Sequence, residues 1–285
     1  VKKALPQAFT VLVGTHPSAF PRKTLGMTPE IDAVALGEYD FTVSDLAKAL
    51  AKREDLKKVA GLCLRVGRKL ITTPPRAKIT NLDDFPFVSK IYKNFLNVKD
   101  YYFAAARYPM VMVITGRGCP FSCSFCVYPQ TMHGQLFRSR TAENVAAEFA
   151  WIKKNLPEVK EVVIEDDTFT VNLPRVRKIC QLLIESQNTL PWSVNTRVHL
   201  DFKTMKLMKQ AGCRLLIVGY ESGSQEILDN MGKKIKLAHS LRFAENARRA
   251  NLLVHGCFMV GNPGETKETA QNTLEFTKKL DPDSA

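Results

Sequence analysis

Residues 110–126 read Met110-Val111-Met112-Val113-Ile114-Thr115-Gly116-Arg117-Gly118-Cys119-Pro120-Phe121-Ser122-Cys123-Ser124-Phe125-Cys126. An unbroken run of five apolar residues that stops at a glycine-bearing loop is the pattern of a strand buried on both faces, because a parallel strand covered by helices shows no alternation. The same pattern recurs downstream. Apolar runs at 161–164, 191–194, 214–218 and 252–260 alternate with helical spacing at about 141–155, 173–187, 202–211, 236–250 and 266–279. Five β/α units in series predict an α/β fold with a parallel sheet and right-handed crossovers, a partial (β/α) barrel. The last residues, Asp281 to Ala285, stop where a sixth strand is expected.

Upstream, the apolar stretch 9–13 runs into Gly14-Thr15-His16-Pro17 and reads as a buried strand entering a turn. A second buried strand is predicted at 31–37. Leu46, Ala49 and Leu50 then give helical spacing over 44–53, with Ser44 or Asp45 as cap. This alternation predicts the closing half of a doubly wound α/β domain whose opening half lies upstream. Residues 62–71 read as a hairpin about Gly67. Residues 72–108, with prolines and scattered aromatics but no sustained period, read as an ordered linker. The resulting partition is 1–60, a partial α/β domain; 61–108, hairpin and linker; and 109–285, a barrel truncated at its C-terminal end.

Composition narrows the class. The chain has 285 residues, 45% hydrophobic and 24% charged, which excludes wholesale disorder and fibrous architectures. No apolar run reaches the ~18 residues of a membrane span. Val1-Lys2-Lys3-Ala4-Leu5-Pro6 has neither an initiator Met nor a signal-type apolar core, which predicts a fragment of a longer, unsecreted protein. The formal charge of +13 suits a nucleic-acid partner, an anionic lipid, or an acidic substrate or cofactor. The basic residues, however, spread from Lys2 to Lys279 without a dominant block, and the plainer reading is a solvated basic surface. Seven cysteines without a secretion signal point to a reducing, cytoplasmic compartment and not to a disulfide framework.

Three of those cysteines make a C-x3-C-x2-C loop after the first strand of the series. Chance would produce such a triplet about 0.004 times in a chain of this composition. Three thiolates within eight residues are a metal site. Structural zinc requires a fourth protein ligand, for which His133 is the nearest candidate. An iron-sulfur cluster held by three local thiolates leaves one iron without a protein ligand, open to a substrate or cofactor. Gly116 and Gly118 allow the close backbone approach such a loop needs, and Pro120 fixes one φ beside the first ligand. Cys63, Cys180, Cys213 and Cys257 stand singly in apolar contexts and read as small buried hydrophobes.

The GCPFSCSFC loop after strand one of a β/α series resembles the radical S-adenosylmethionine (SAM) superfamily, over residues 109–280. The resemblance implies that Cys119, Cys123 and Cys126 hold a 4Fe-4S cluster whose open iron chelates the amino and carboxylate groups of SAM. It implies reductive cleavage of SAM to a 5'-deoxyadenosyl radical that activates an inert C–H bond. Phe125 matches the position of an aromatic near the adenine. At the second strand end, Glu165 or Asp166 would pair with the SAM ammonium, while Asp167 or Thr168 could simply cap the next turn. At the third, Asn195 would bond the ribose and Arg197 the carboxylate. Glu221 and Ser222 at the fourth would contact ribose or methionine. Lys233 either meets the SAM carboxylate or is an ordinary exposed lysine, and Gly261 either flanks adenine or makes a tight βα turn.

Residues 9–56 resemble the second half of the cobalamin-binding domain that precedes the barrel in one large subgroup, which implies cobalamin in the full-length protein. Gly37-Glu38-Tyr39-Asp40 departs from the family's Gly-Glu-Gly-Glu, and no axial-histidine segment is present. The stretch 126–134, followed by Arg138-Ser139-Arg140, is similar to the anaerobic magnesium-protoporphyrin monomethyl ester cyclase and to hopanoid-biosynthesis enzymes. Arg138 and Arg140 hold an anionic group or pair with Glu143. The implied reaction is methylation, cyclisation or rearrangement of a small or lipid-like metabolite, with electrons from a reductant such as flavodoxin or ferredoxin and without nucleic acid. Two alternatives stand beside it: methylthiotransferase-like modification of tRNA or protein, and a zinc-stabilised binding module.

Overall fold

The computed structural model describes residues 1–285, and the chain in it divides into two compact units. The front unit is Val1–Thr80 with Gly118–Pro120 and Cys126–Leu136; the second is Asn81–Arg117, Phe121–Phe125 and Phe137–Ala285. The cysteine loop is therefore divided, with Cys119 and Cys126 counted in the front unit and Cys123 in the second.

The front unit runs β1 (Val11–Leu12), α1 (Thr15–Ala19), α2 (Pro21–Met27), β2 (Ala33–Ala35), α3 (Asp40–Lys52), β3 (Leu62–Val66) and β4 (Lys69–Thr72). Its sheet has the order β1-β2-β3-β4, with β1 parallel to β2 and the remaining pairs antiparallel. The hairpin turns at Gly67 (φ 57), and β3 pairs directly with β2, Val34 opposite Cys63. Ala33 and Ala35 face Leu46, Ala49, Leu62 and Leu64 on one side, while Val34 and Cys63 meet Leu25 on the other. Helix α3 begins four residues before the expected start. Tyr39 occupies the N-cap without a side-chain cap, Asp40 sits in the first turn where the helix dipole favours an anion, and Asp45 is instead bound by Arg76 at 2.5 Å. The expected turn after 13 is two short helices, α2 opening on Pro21, whose fixed φ suits a first helical position.

In the second unit, α4 (Val88–Phe95) stands within the stretch expected to be linker, ordered because Ser89 gives Glu148 two hydrogen bonds and Tyr92 joins the core. The series that follows is β5 (Met110–Val113), β6 (Gly116–Arg117), β7 (Arg138–Ser139), α6 (Ala142–Asn155), β8 (Glu161–Ile164), α7 (Leu173–Glu185), β9 (Trp192–Thr196), α8 (Phe202–Gln210), β10 (Cys213–Glu221), α9 (Gln225–Asn230), α10 (Leu237–Arg249), β11 (Leu253–Phe258) and α11 (Lys267–Leu280). The one helix between β6 and β7, α5 (Tyr128–Thr131), is counted in the front unit. Strands β5-β8-β9-β10-β11 lie side by side in sequence order, every pair parallel, as a partial (β/α) barrel requires. Ser284 pairs in parallel with His255, beside β11. Trp192, Phe149, Phe169 and Phe243 are all at most 1% exposed and fill the space between sheet and helices. No helix is long and apolar enough to cross a membrane.

Candidate active site

Ligands of a parallel β/α sheet gather where its strands end, because the loops there are free to vary while the sheet stays packed. Behind β5, Thr115 is fully buried and donates through both its backbone N–H and its hydroxyl, each at 2.6 Å, to the carboxylate of Asp166 just past β8. Asp166 is 2% exposed; burial pushes its carboxyl up, against the pull of the Thr115 bonds and the charge of Arg175. Both its oxygens are thus committed to holding the start of the cysteine loop against the next strand end. Its neighbour Glu165 is exposed. The protein around Glu165 nevertheless raises its carboxyl above the ordinary range, opposed by a hydrogen bond from Asn195 and reinforced by the charge of Asp167. Asn195 itself, half-buried on β9, reaches the backbone carbonyl of Asp166 at 3.4 Å.

Strand β10 carries a bulge between Gly219 and Glu221, and Glu221 adopts φ 66, left-handed for a residue with a side chain. Bulges re-aim side chains beside functional sites, and such a backbone costs about 1–3 kcal/mol that surrounding structure must supply. The re-aimed Glu221 meets Lys233 at 2.6 Å, and the two side chains are 9% and 7% exposed. Gly219 makes this possible, since a Cβ there would fall 2.4 Å from Glu221 Oε1 and 2.8 Å from Lys233 Nζ. Lys233 also stands 5.7 Å from the centre of the Phe125 ring, within cation–π range. It is not an ordinary exposed lysine. Burial raises the half-buried Cys257 thiol on β11, with Glu221 adding to the shift and Lys233 opposing it.

Arg197, just past β9, is 7% exposed. Its guanidinium donates to Cys123 Sγ at 3.5 Å and to the carbonyl of Lys233, and it lies 3.8 Å above the centre of the Phe121 ring. Ser222, fully buried, shares a hydrogen bond with Thr273 and accepts one from the Ser224 N–H. Gly261 has φ 95 with open space around it, and its N–H is taken by Glu265: a turn in which the backbone is accessible. Phe125, Arg197, Glu221 and Lys233 are therefore brought together with Cys123, whereas Asp166 and Ser222 are held by structural bonds.

In the front unit, Gly118 (φ 90) cannot be replaced, because a Cβ would meet Leu136 O at 2.2 Å, and the Cys119 N–H donates to Gly134 O at 3.2 Å. His133 lies half-buried with its ring 6.3 Å from Tyr128. None of the seven cysteines forms a disulfide. Cys63, Cys180 and Cys213 are buried, and burial pushes the Cys180 thiol up to about 12 and the Cys213 thiol well above its ordinary value, which leaves both inert. Arg140 pairs with Glu148 at 2.5 Å and not with Glu143, because Glu148 lies on the buried face of α6 while Glu143 points to solvent. Cys257, expected to be buried, is half-exposed at the end of β11, while Thr115, Phe121 and Gly219 shape the site without having been singled out in it from sequence. The only sequence signal was the Gly-x-Glu spacing on β10, which puts a missing side chain and a carboxylate on one strand face.

The donor set fits an iron-sulfur cluster with SAM. The soft sulfur of Cys123 faces a buried guanidinium whose Nε has no hydrogen-bond partner, and a carboxylate and open glycine backbone lie at neighbouring strand ends. A parallel β/α sheet with a three-cysteine loop behind its first strand defines the class. The chain belongs to the radical SAM superfamily, whose family model matches residues 113–277. It is 34% identical over 278 residues to an uncharacterized methyltransferase of Pyrococcus horikoshii, covering 97% of this chain and 59% of that protein. It is 28% identical over 293 residues to the anaerobic magnesium-protoporphyrin IX monomethyl ester cyclase of Cereibacter sphaeroides, covering 99% of this chain and 46% of that one. The fold is similar to that of TsrM, a radical S-adenosylmethionine methyltransferase from Kitasatospora setae solved with cobalamin and a [4Fe-4S] cluster bound, with TM-score 0.77 and 19% identity over 97% of this chain and 54% of that one. The chain thus spans roughly half the length of the curated relatives it matches.

Proposed function

We propose that the whole protein is a radical SAM enzyme that methylates, cyclises or rearranges a small or lipid-like metabolite at an inert carbon, with Cys119, Cys123 and Cys126 as cluster ligands. The observation that carries this is the buried cation of Arg197 held against Cys123 in a superfamily fold. When bound, the reduced cluster supplies the electron that cleaves SAM to methionine and a deoxyadenosyl radical able to abstract hydrogen from carbon. The chain's own residues bind and orient. Glu165 offers a carboxylate to the SAM ammonium, and Asn195 offers its amide to the ribose. The Glu221–Lys233 pair presents a neutralised polar wall beside Phe125, whose half-buried ring we assign to the adenine. Asp166 and Ser222 act by holding the strand ends in place, and the accessible backbone of Gly261 completes the rim.

The cavity at the end of β2 in the front unit, lined by Ser18, Leu36, Gly37, Glu38, Thr131 and Met132 among others, has a volume of about 260 Å³. That is below the ~300–1,000 Å³ of pockets for drug-sized ligands, and cobalamin is larger than those. These residues alone do not enclose a corrin, so cobalamin is assigned to the full-length protein, on the likeness of the front unit to the corresponding part of TsrM, and no step is derived through it. A flavodoxin- or ferredoxin-type reductant, a cytoplasmic location and the absence of a nucleic-acid partner complete the proposal, supported by the reduced thiols and the dispersed basic charge.

The test is anaerobic reconstitution with iron and sulfide counted and electron paramagnetic resonance recorded with and without SAM. About four irons per chain and a SAM-dependent spectrum are expected, both lost in Cys123→Ala. Zinc in place of iron, or a cluster blind to SAM, sinks the proposal.

A further inference from the structure

Arg197 is a buried cation without a carboxylate. Three other buried cations have one close by: Arg140 holds Glu148, Lys233 holds Glu221, and Arg175, which donates to the carbonyls of Arg140 and Thr115, lies in the field of the Asp166 carboxylate. Removing a guanidinium from water without a counter-charge costs several kcal/mol, and a fold keeps such a group only where something negative faces it. The groups that face Arg197 are the Lys233 carbonyl, the flat of the Phe121 ring and the sulfur of Cys123. Its Nε is buried with its hydrogen unused. Of these neighbours only a thiolate brings a full negative charge, and only in the state in which Cys123 ligates a metal is that charge permanent.

Resting on the cluster reading of Cys123, we propose that Arg197 acts on the cluster side of the site. Its N–H bond to the Cys123 sulfur and its positive charge raise the cluster's reduction potential, and Phe121 is the platform that fixes the guanidinium there. Hydrogen bonds to ligand sulfurs and local charge are the levers by which a protein sets such potentials. Adding an electron makes the cluster more negative. A fixed cation a few ångströms from one of its sulfurs therefore favours the reduced state, and a low-dielectric surrounding enlarges the effect. Lysine cannot replace it fully, because a single ammonium cannot address the sulfur and the Lys233 carbonyl in one plane while stacking on a ring. This differs from the part the family resemblance implies for Arg197, a contact with the SAM carboxylate. That contact would act only when SAM is bound.

The decisive experiment is a redox titration of the reconstituted chain, followed by electron paramagnetic resonance without SAM, for the wild type, Arg197→Gln, Arg197→Lys and Phe121→Leu. Arg197→Gln is expected to lower the equilibrium constant for reduction at least tenfold, a midpoint about 59 mV more negative. Arg197→Lys and Phe121→Leu should move it in the same direction by less. An unmoved midpoint in Arg197→Gln with its iron intact overturns the proposal, as does an effect seen only once SAM is added. Should Arg197→Gln fail to take up iron, an unmoved midpoint in Arg197→Lys overturns it equally. If the wild type itself takes up no iron, it is the cluster reading that fails.

Discussion

The two units bury different things. The front sheet is filled by aliphatic side chains, Leu46, Leu62 and Leu64 set against Ala33, Ala35 and Ala49, and of the unit's charged residues only Glu38 falls below 9% exposure. The parallel sheet is filled by Trp192, Phe149, Phe169 and Phe243, and it also encloses Arg140, Glu148, Glu161, Asp166, Arg197, Glu221 and Lys233. Burying charge is destabilising unless the partners are in place, so a polar interior is tolerated where a large apolar core holds those partners in register. The buried charges gather in the unit with the larger apolar core.

The sharpest way to break that contrast is Lys233→Ala, which strands Glu221 in the interior. It should cost about 3–5 kcal/mol in a urea melt, with the isosteric pair Glu221→Gln, Lys233→Met restoring most of it. A loss under 1 kcal/mol would mean the pair is solvated and the contrast false. In the front unit, Leu64→Ala at a site 2% exposed should fall toward the lower end of the ~2–5 kcal/mol range for such truncations, because a cluster of few buried residues relaxes into the gap more readily than the larger core of the second unit. Hydrogen exchange should show the protection lost from β2, β3 and β4. Gly219→Ala should cost about 1–3 kcal/mol by overpacking the Glu221–Lys233 pair, and combining it with Lys233→Ala should be less than additive. The smallest effect concerns pH. Burial first, then the charges of Arg197, His239 and Lys233, hold the His199 imidazole below its ordinary value. As pH falls through about 6.5 the unfolded chain gains a proton that the folded one resists, so stability drops there and levels off below the folded value. His199→Gln should flatten that part of the stability–pH curve.

Much of the second unit was legible in the sequence. The strand expected at 161–164 is β8 to the residue, and the helix expected at 173–187 ends two residues early, because long apolar runs and amphipathic periods depend on local order. The front unit was less so. Strand β2 is three residues long, and α1 contains a proline at its third position, so neither offers a period to read. In the site, the cysteine spacing was plain, while the burial of Lys233 was not. A lysine twelve residues past a strand end looks solvated, and only the bulge at Glu221 and the missing Cβ of Gly219 turn it inward. Asp166 looked like a ligand because it ends a strand, and its commitment to Thr115 depends on a contact 51 residues distant in sequence.

The front unit is not one stretch of chain. Residues 118–120 and 126–136 belong to it, while the five residues between them belong to the other. No single cut gives back both units whole, so a chimaera exchanged at residue 80 would part the front sheet from α5 and from Gly118. A substitution in the cysteine loop therefore falls among residues of both units, and its cost in stability is to be looked for in both folds.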